Sequence, residues 1–177
     1  MQNPCPPLLV LHSDPAPELW HYNSPMYPIS LVTIGKPKEA AHASLGEHYL
    51  KLVRPYAKLE VVELPEGKAQ GDKQLLEEAQ RVRNALSRAR HRVLLCPEGV
   101  QRSSEAFASW LGAKIDLGEG IAFAIGSSEG FHESLKIDIP DHLSLGPMTF
   151  PHDLCRVLLL EQIYRAFTIL RGKVYHK

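Results

Sequence analysis

Three stretches of this 177-residue chain combine residue types and spacings that could do chemistry. The first is Ile125-Gly126-Ser127-Ser128-Glu129-Gly130, directly after an apolar run. Gly126 permits close backbone approach, and Gly130 permits a turn that a Cβ would obstruct. The same pair also serves as a plain turn, and it lacks the G-x-G-x-x-G spacing of dinucleotide folds. The second stretch runs from Leu143 through Ser144, Leu145, Gly146, Pro147, Met148, Thr149, Phe150 and Pro151 to His152. Its apolar side chains and exposed backbone suit an adenine-bearing ligand held by main-chain hydrogen bonds between apolar walls. A strand-to-helix connection that plugs the core has the same composition. Third is a C-terminal cluster of Arg165, Arg171, Lys173, Tyr175, His176 and Lys177. Cations around an aromatic ring are what single-stranded or loop RNA asks for, through phosphate contact and stacking; a solvated, frayed tail is the competing reading. His152, at a helix start, is either a base or a hydrogen-bonded surface histidine. Nothing resembles a nucleophile elbow, a P-loop or a zinc site, so no metal is expected.

The elements that must position these stretches alternate between two periods. β-branched and apolar runs at Ile29–Ile34, Leu59–Leu64, Val93–Cys96, Ile121–Ile125 and Leu143–Leu145 predict strands. Helical spacing of Leu45, Tyr49, Leu52 and Val53 predicts a helix over 38–53. A second, capped by Asp72, would present Leu75, Leu76, Ala79, Val82 and Leu86, with Glu77 and Arg81 spaced as an i,i+4 pair. Ser103 or Ser104 caps a third, which carries Phe107, Trp110 and Leu111, and a last helix spans about Pro151 to Leu170 with Gly172 just beyond it. Strict alternation implies an α/β fold with a mostly parallel sheet flanked by helices. The last helix is apolar nearly all round, so it lies either between sheet and helices or against a second subunit.

Composition narrows the function classes. Twenty basic and 20 acidic side chains give zero formal net charge, unlike a nucleic-acid coat protein, so RNA binding must come from a local patch, from shape or from a dimer. DNA is not an expected partner. Cys5, Cys96 and Cys155 form no disulfide framework, which fits reduced thiols in a cytoplasmic protein. No apolar run reaches the ~18 residues of a membrane span, so no membrane partner is expected. Residues 1–28 hold seven of the 14 prolines and read as an N-terminal arm before a single domain at 29–177.

ISLVTIGK (29–36), LCPEGVQRSSEAFA (95–108), FAIGSSEG (123–130), PMTFPHDLCRVLLLEQIYRAF (147–167) and the terminal RGKVYHK together resemble the RlmH family. These are the pseudouridine-N3 methyltransferases of large-subunit ribosomal RNA, in the SPOUT superfamily. The resemblance runs from about Met26 to Lys177; the arm has no counterpart. It implies a C-terminal trefoil knot, a homodimer and S-adenosylmethionine contacting Leu95, Gly126, Leu145, Gly146, Pro147, Met148, Thr149 and Phe150. It places Arg165, Tyr175 and His176 as catalytic groups near the transferred methyl, with Arg165, Arg171, Lys173 and Lys177 toward RNA. The implied substrate is a pseudouridine of 23S ribosomal RNA in the assembled ribosome.

Cys96 and Val100 stand where the family's LD-x-x-GK pattern has an acidic residue and a lysine, and Ser127 replaces the second glycine of its IGG loop. Ser127 is therefore expected to crowd the cofactor and weaken its binding. Three other readings compete: a knotted methyltransferase with another RNA target, a catalytically inactive ribosome-binding factor, and a flavodoxin-like nucleotide-binding module.

Overall fold

A computed structural model describes residues 27–173. The arm expected over 1–28 lies outside them except for Tyr27 and Pro28, which open the first strand. Tyr175, His176, Lys177 and Cys5 also lie outside the described residues.

In chain order the elements are β1 (Tyr27–Ile34), α1 (Ala40–Val53), β2 (Ala57–Leu64), α2 (Asp72–Leu86), β3 (His91–Gln101), α3 (Ser104–Asp116), β4 (Ile121–Ile125), α4 (Glu133–Asp138), β5 (His142–Ser144) and α5 (His152–Leu170). The five strands form one sheet in the order β2-β1-β4-β3-β5, and every pairing is parallel. The fold is α/β, with helices covering both faces.

Period two decides which side chains go to which face. Along β1, Ile29 and Leu31 join the core under α1, α3 and α5, while Val32 and Ile34 join the core under α2 and α4. Central β4 is buried throughout, with Phe123 on the first face and Ala122 and Ala124 on the second. Truncating Phe123, fully buried, should cost about 3–5 kcal/mol.

The helices correct several expected faces. α1 buries Gly46 and Val53, while Leu45 is exposed. α2 begins at Asp72 with Gly71 as its cap; it exposes Leu76 and buries Glu78 beside Ala79, Val82 and Leu86. The Glu77–Arg81 pair forms, at 3.7 Å. Ser103 is the cap of α3, its hydroxyl accepting from the Ala106 amide. Pro151 sits at the N-cap of α5 rather than inside its first turn, and Gly172, at φ 63°, follows its end. α5 packs against both α1 and α3, which accounts for much of its apolar surface, while Leu154, Leu158, Ile169 and Leu170 stay half-buried.

β3 is longer than expected and irregular. Leu143 of β5 pairs with both Leu95 and Val100, so residues between those two bulge away from the ladder. Gly99 lies at this crossing, where a Cβ would stand 2.6 Å from the Leu143 carbonyl carbon. β5 itself is His142–Ser144, one residue earlier than expected, and α4 went unforeseen.

Candidate active site

Because all strands run parallel, the bulge of β3 and the loops after β4 and β5 lie side by side at one edge, where open α/β sheets bind ligands. They enclose a cavity of about 490 Å³, within the size range of small-molecule sites. Leu95, Gly126, Leu145, Gly146, Met148, Thr149 and Phe150 line it. Pro147, the remaining expected cofactor contact, is exposed at the turn and does not. Ser144, inside the second stretch, lines the wall as well, and so do the bulged Cys96 and Pro97 with Cys155, which sequence reasoning did not single out as contacts. They become visible only once the β3 bulge and the start of α5 are placed.

Each wall is shaped by local chemistry. At Gly126 a Cβ would stand 2.6 Å from the Gly130 carbonyl oxygen, so the loop folds back on this glycine. Gly130, at φ 80°, donates its amide to the Ser127 carbonyl and closes the turn. Close approach at Gly126 is thus demanded by the turn itself. On the opposite wall the Ser144 hydroxyl donates to the Gly146 carbonyl and accepts from its amide, at 2.9 and 3.2 Å. His152 reaches the rim with Nε2 3.0 Å from Asp153 Oδ1, and Asp153 Oδ2 accepts from the Lys38 amide at 2.8 Å.

Burial disfavours the thiolate form of both cysteines on this wall. Burial, helped by the nearby Glu98 carboxylate, pushes Cys96 up to about 11, and burial raises Cys155 too. Lys136, hydrogen-bonded to Glu98, holds that carboxyl below its usual range. The walls offer shape, backbone polarity and hydroxyls rather than covalent chemistry.

The basic cluster is placed elsewhere. Arg165 is not on the cavity wall; its guanidinium donates to Glu161 on the same helix. Arg171 and Lys173 stand over the Tyr56 ring at 4.6 and 5.3 Å, and Lys173 also donates to the Tyr56 hydroxyl. Tyr56 in turn stacks on Phe167. Within one protomer the structure therefore gathers the two loops but does not bring Arg165, Arg171 or Lys173 into their cavity.

A second hollow of about 320 Å³ shares Leu143, Ser144 and Leu145 with the first. Arg102 and Ser103, then Phe107 of α3 and Leu158 and Gln162 of α5, form its other walls.

A family model described as "Predicted SPOUT methyltransferase" matches residues 27–176. Ribosomal RNA large subunit methyltransferase H of Bacillus cytotoxicus is 42% identical over 157 residues, covering 84% of this chain and 99% of that protein. The protein of the same name from Bacillus thuringiensis (strain Al Hakam) is 40% identical over the same shares. The crystal structure of TrmJ from Z. mobilis ZM4 overlays at a TM-score of 0.48 with 10% identity, covering 81% of this chain and 71% of that one. With a family model spanning all the described residues and relatives 40–42% identical over 84% of its length, this chain belongs to the SPOUT methyltransferase family.

Proposed function

We propose that the protein transfers a methyl group from S-adenosylmethionine to N3 of a pseudouridine in 23S ribosomal RNA, acting in the cytoplasm as a homodimer on the assembled ribosome. The observation that carries this reading is the cavity formed by the bulge of β3 and the loops after β4 and β5 in a chain so similar to methyltransferase H proteins. Its apolar walls suit an adenine, and Gly146, with open space where a Cβ would be, leaves the backbone accessible. Membership of the SPOUT family supports a C-terminal trefoil knot in a single domain over 29–177.

When bound, S-adenosylmethionine supplies a methyl group on a sulfonium that leaves as a neutral thioether, so the leaving group needs no activation. What remains for the protein is in-line positioning and removal of the N3 proton. Leu95, Gly126 and residues 145–150 would hold the donor. Arg165 would stabilise the developing anionic base, and Tyr175 or His176 would orient it or accept its proton. Arg171, Lys173 and Lys177 would meet phosphate. Arg165 lies outside the cavity of its own protomer, and the homodimer would bring it beside the partner's donor. The second hollow, together with exposed Val100 and Met148, supports such pairing.

The test mixes the protein with methyl-labelled S-adenosylmethionine and intact ribosomes lacking the modification, with separated subunits and bulk transfer RNA in parallel. Label entering large-subunit RNA only in intact ribosomes is expected. Label in transfer RNA alone, or in no RNA despite donor binding, would overturn the reading.

A further inference from the structure

Glu78 is the one carboxylate on the core-facing side of α2, and it is 3% exposed. Among the described residues no cation pairs with it. Three neutral donors hold it instead: the Gly67 amide at 2.8 Å and Gln74 Nε2 at 3.0 Å on one oxygen, and the Ser127 hydroxyl at 2.8 Å on the other. A buried charge is costly unless such partners satisfy it. For stability alone, an apolar residue at this core-facing position would serve as well.

The partners show what the carboxylate does. Gly67 follows β2 and Ser127 follows β4, and β1 lies between those two strands in the sheet. Glu78 therefore spans the end of β1 and ties two separate loops to one helix. The β2 loop has a second tie to α2, from Arg81 to the Pro65 carbonyl at 2.7 Å. Among the described residues, the Ser127 hydroxyl makes the one side-chain hydrogen bond from the 126–130 turn to α2, and that turn walls the cavity. Glu78 itself does not line the cavity.

We propose that Glu78 is a positioning residue that acts through the Ser127 hydroxyl: it fixes the 126–130 turn and so sets affinity for the methyl donor without touching it. This rests on the donor occupying the cavity, as proposed above. It reverses the expectation that Ser127 merely crowds the cofactor, because the hydroxyl is engaged by α2.

Ser127→Ala leaves one Glu78 oxygen without its donor, so urea melts first establish that the variant is folded at the assay temperature. It should weaken S-adenosylmethionine binding by about tenfold, the worth of a hydrogen bond to a charged group. The loss should appear in KM for the donor more than in kcat, with faster amide exchange at Gly130 even without donor. Ser127→Thr, which keeps the hydroxyl, should restore affinity. Glu78→Gln, whose amide can still accept from Gly67 and donate to Ser127, should bind far better than Glu78→Ala. Wild-type affinity and exchange in Ser127→Ala would overturn the inference while leaving the proposed function intact. A wild-type protein that binds no S-adenosylmethionine would overturn both, a result calorimetry on the unmodified chain separates from the first.

Discussion

Arg165 directs both Nε and a terminal nitrogen to the same Glu161 oxygen, at 2.9 and 2.6 Å, one turn back along α5. An i,i+4 pair of this kind adds only a few tenths of a kcal/mol to a helix. Its larger effect is to hold a planar guanidinium in one orientation, which a lysine cannot reproduce. Arg165→Lys is expected to lower methyl transfer by about 100-fold or more and to shift unfolding free energy by less than about 1 kcal/mol. Single-turnover transfer alongside urea melts reads both; an unchanged transfer rate would remove Arg165 from the chemistry.

Ending the chain after Leu170 deletes Arg171 and Lys173 from the Tyr56 ring, each contact worth about 0.5–1 kcal/mol, and deletes Tyr175 and His176 with them. Donor binding by calorimetry should survive while transfer to ribosomes is abolished. Full activity in the shortened protein would exclude a catalytic tail.

Two glycines should respond to alanine with opposite signs. At Gly126 the new Cβ meets the Gly130 carbonyl at 2.6 Å, so the turn must open and donor affinity should drop by at least about tenfold. At Gly46, inside α1, the new Cβ finds only ordinary contacts at 3.8 and 3.9 Å. There the gain in helix propensity should raise stability by up to about 1 kcal/mol. Calorimetric titration and thermal melts of the pair decide it.

Cys96 makes stability depend on alkaline pH. Its thiol ionises at 9.0 when unperturbed and at about 11 in the fold, chiefly through burial. Between those values the unfolded chain binds fewer protons than the native one, so this group's contribution is intact below about 9 and declines as pH rises to about 11. Comparing denaturant melts of wild type and Cys96→Ala at pH 8 and 10.5 isolates the slope. Equal pH dependence in the two proteins would contradict the buried thiol.

Much of this layout is legible in the residues, and the exceptions have physical causes. The strand at Ile121–Ile125 announces itself because five consecutive apolar residues fit a strand buried on both faces. The loops flanking Gly126 and Gly146 are legible because glycine leaves backbone available. Glu78 is not, since a carboxylate on a helix ordinarily marks the solvated face, and only tertiary partners reveal it as buried. β3 beyond Cys96 is hidden by Pro97 and Gly99, which read as strand breakers but serve a bulge. α4 spans six residues, too few to display a period. The positions of Arg171 and Lys173 over Tyr56 depend on a contact between distant parts of the chain, which spacing cannot encode.

β5 is a three-residue strand at the edge of the sheet, held on one side only, by β3. Edge elements with few partners open at lower free energy than the strands inside them. The wall running from Leu143 to Phe150 is therefore expected to fray before the inner strands melt, and the cavity to vanish with it. A molecule seated there acts as a staple between β3 and β5, lending the margin of the sheet its own binding free energy. Occupancy and edge order become one equilibrium, and protection of the Ser144 and Gly146 amides reports on both at once.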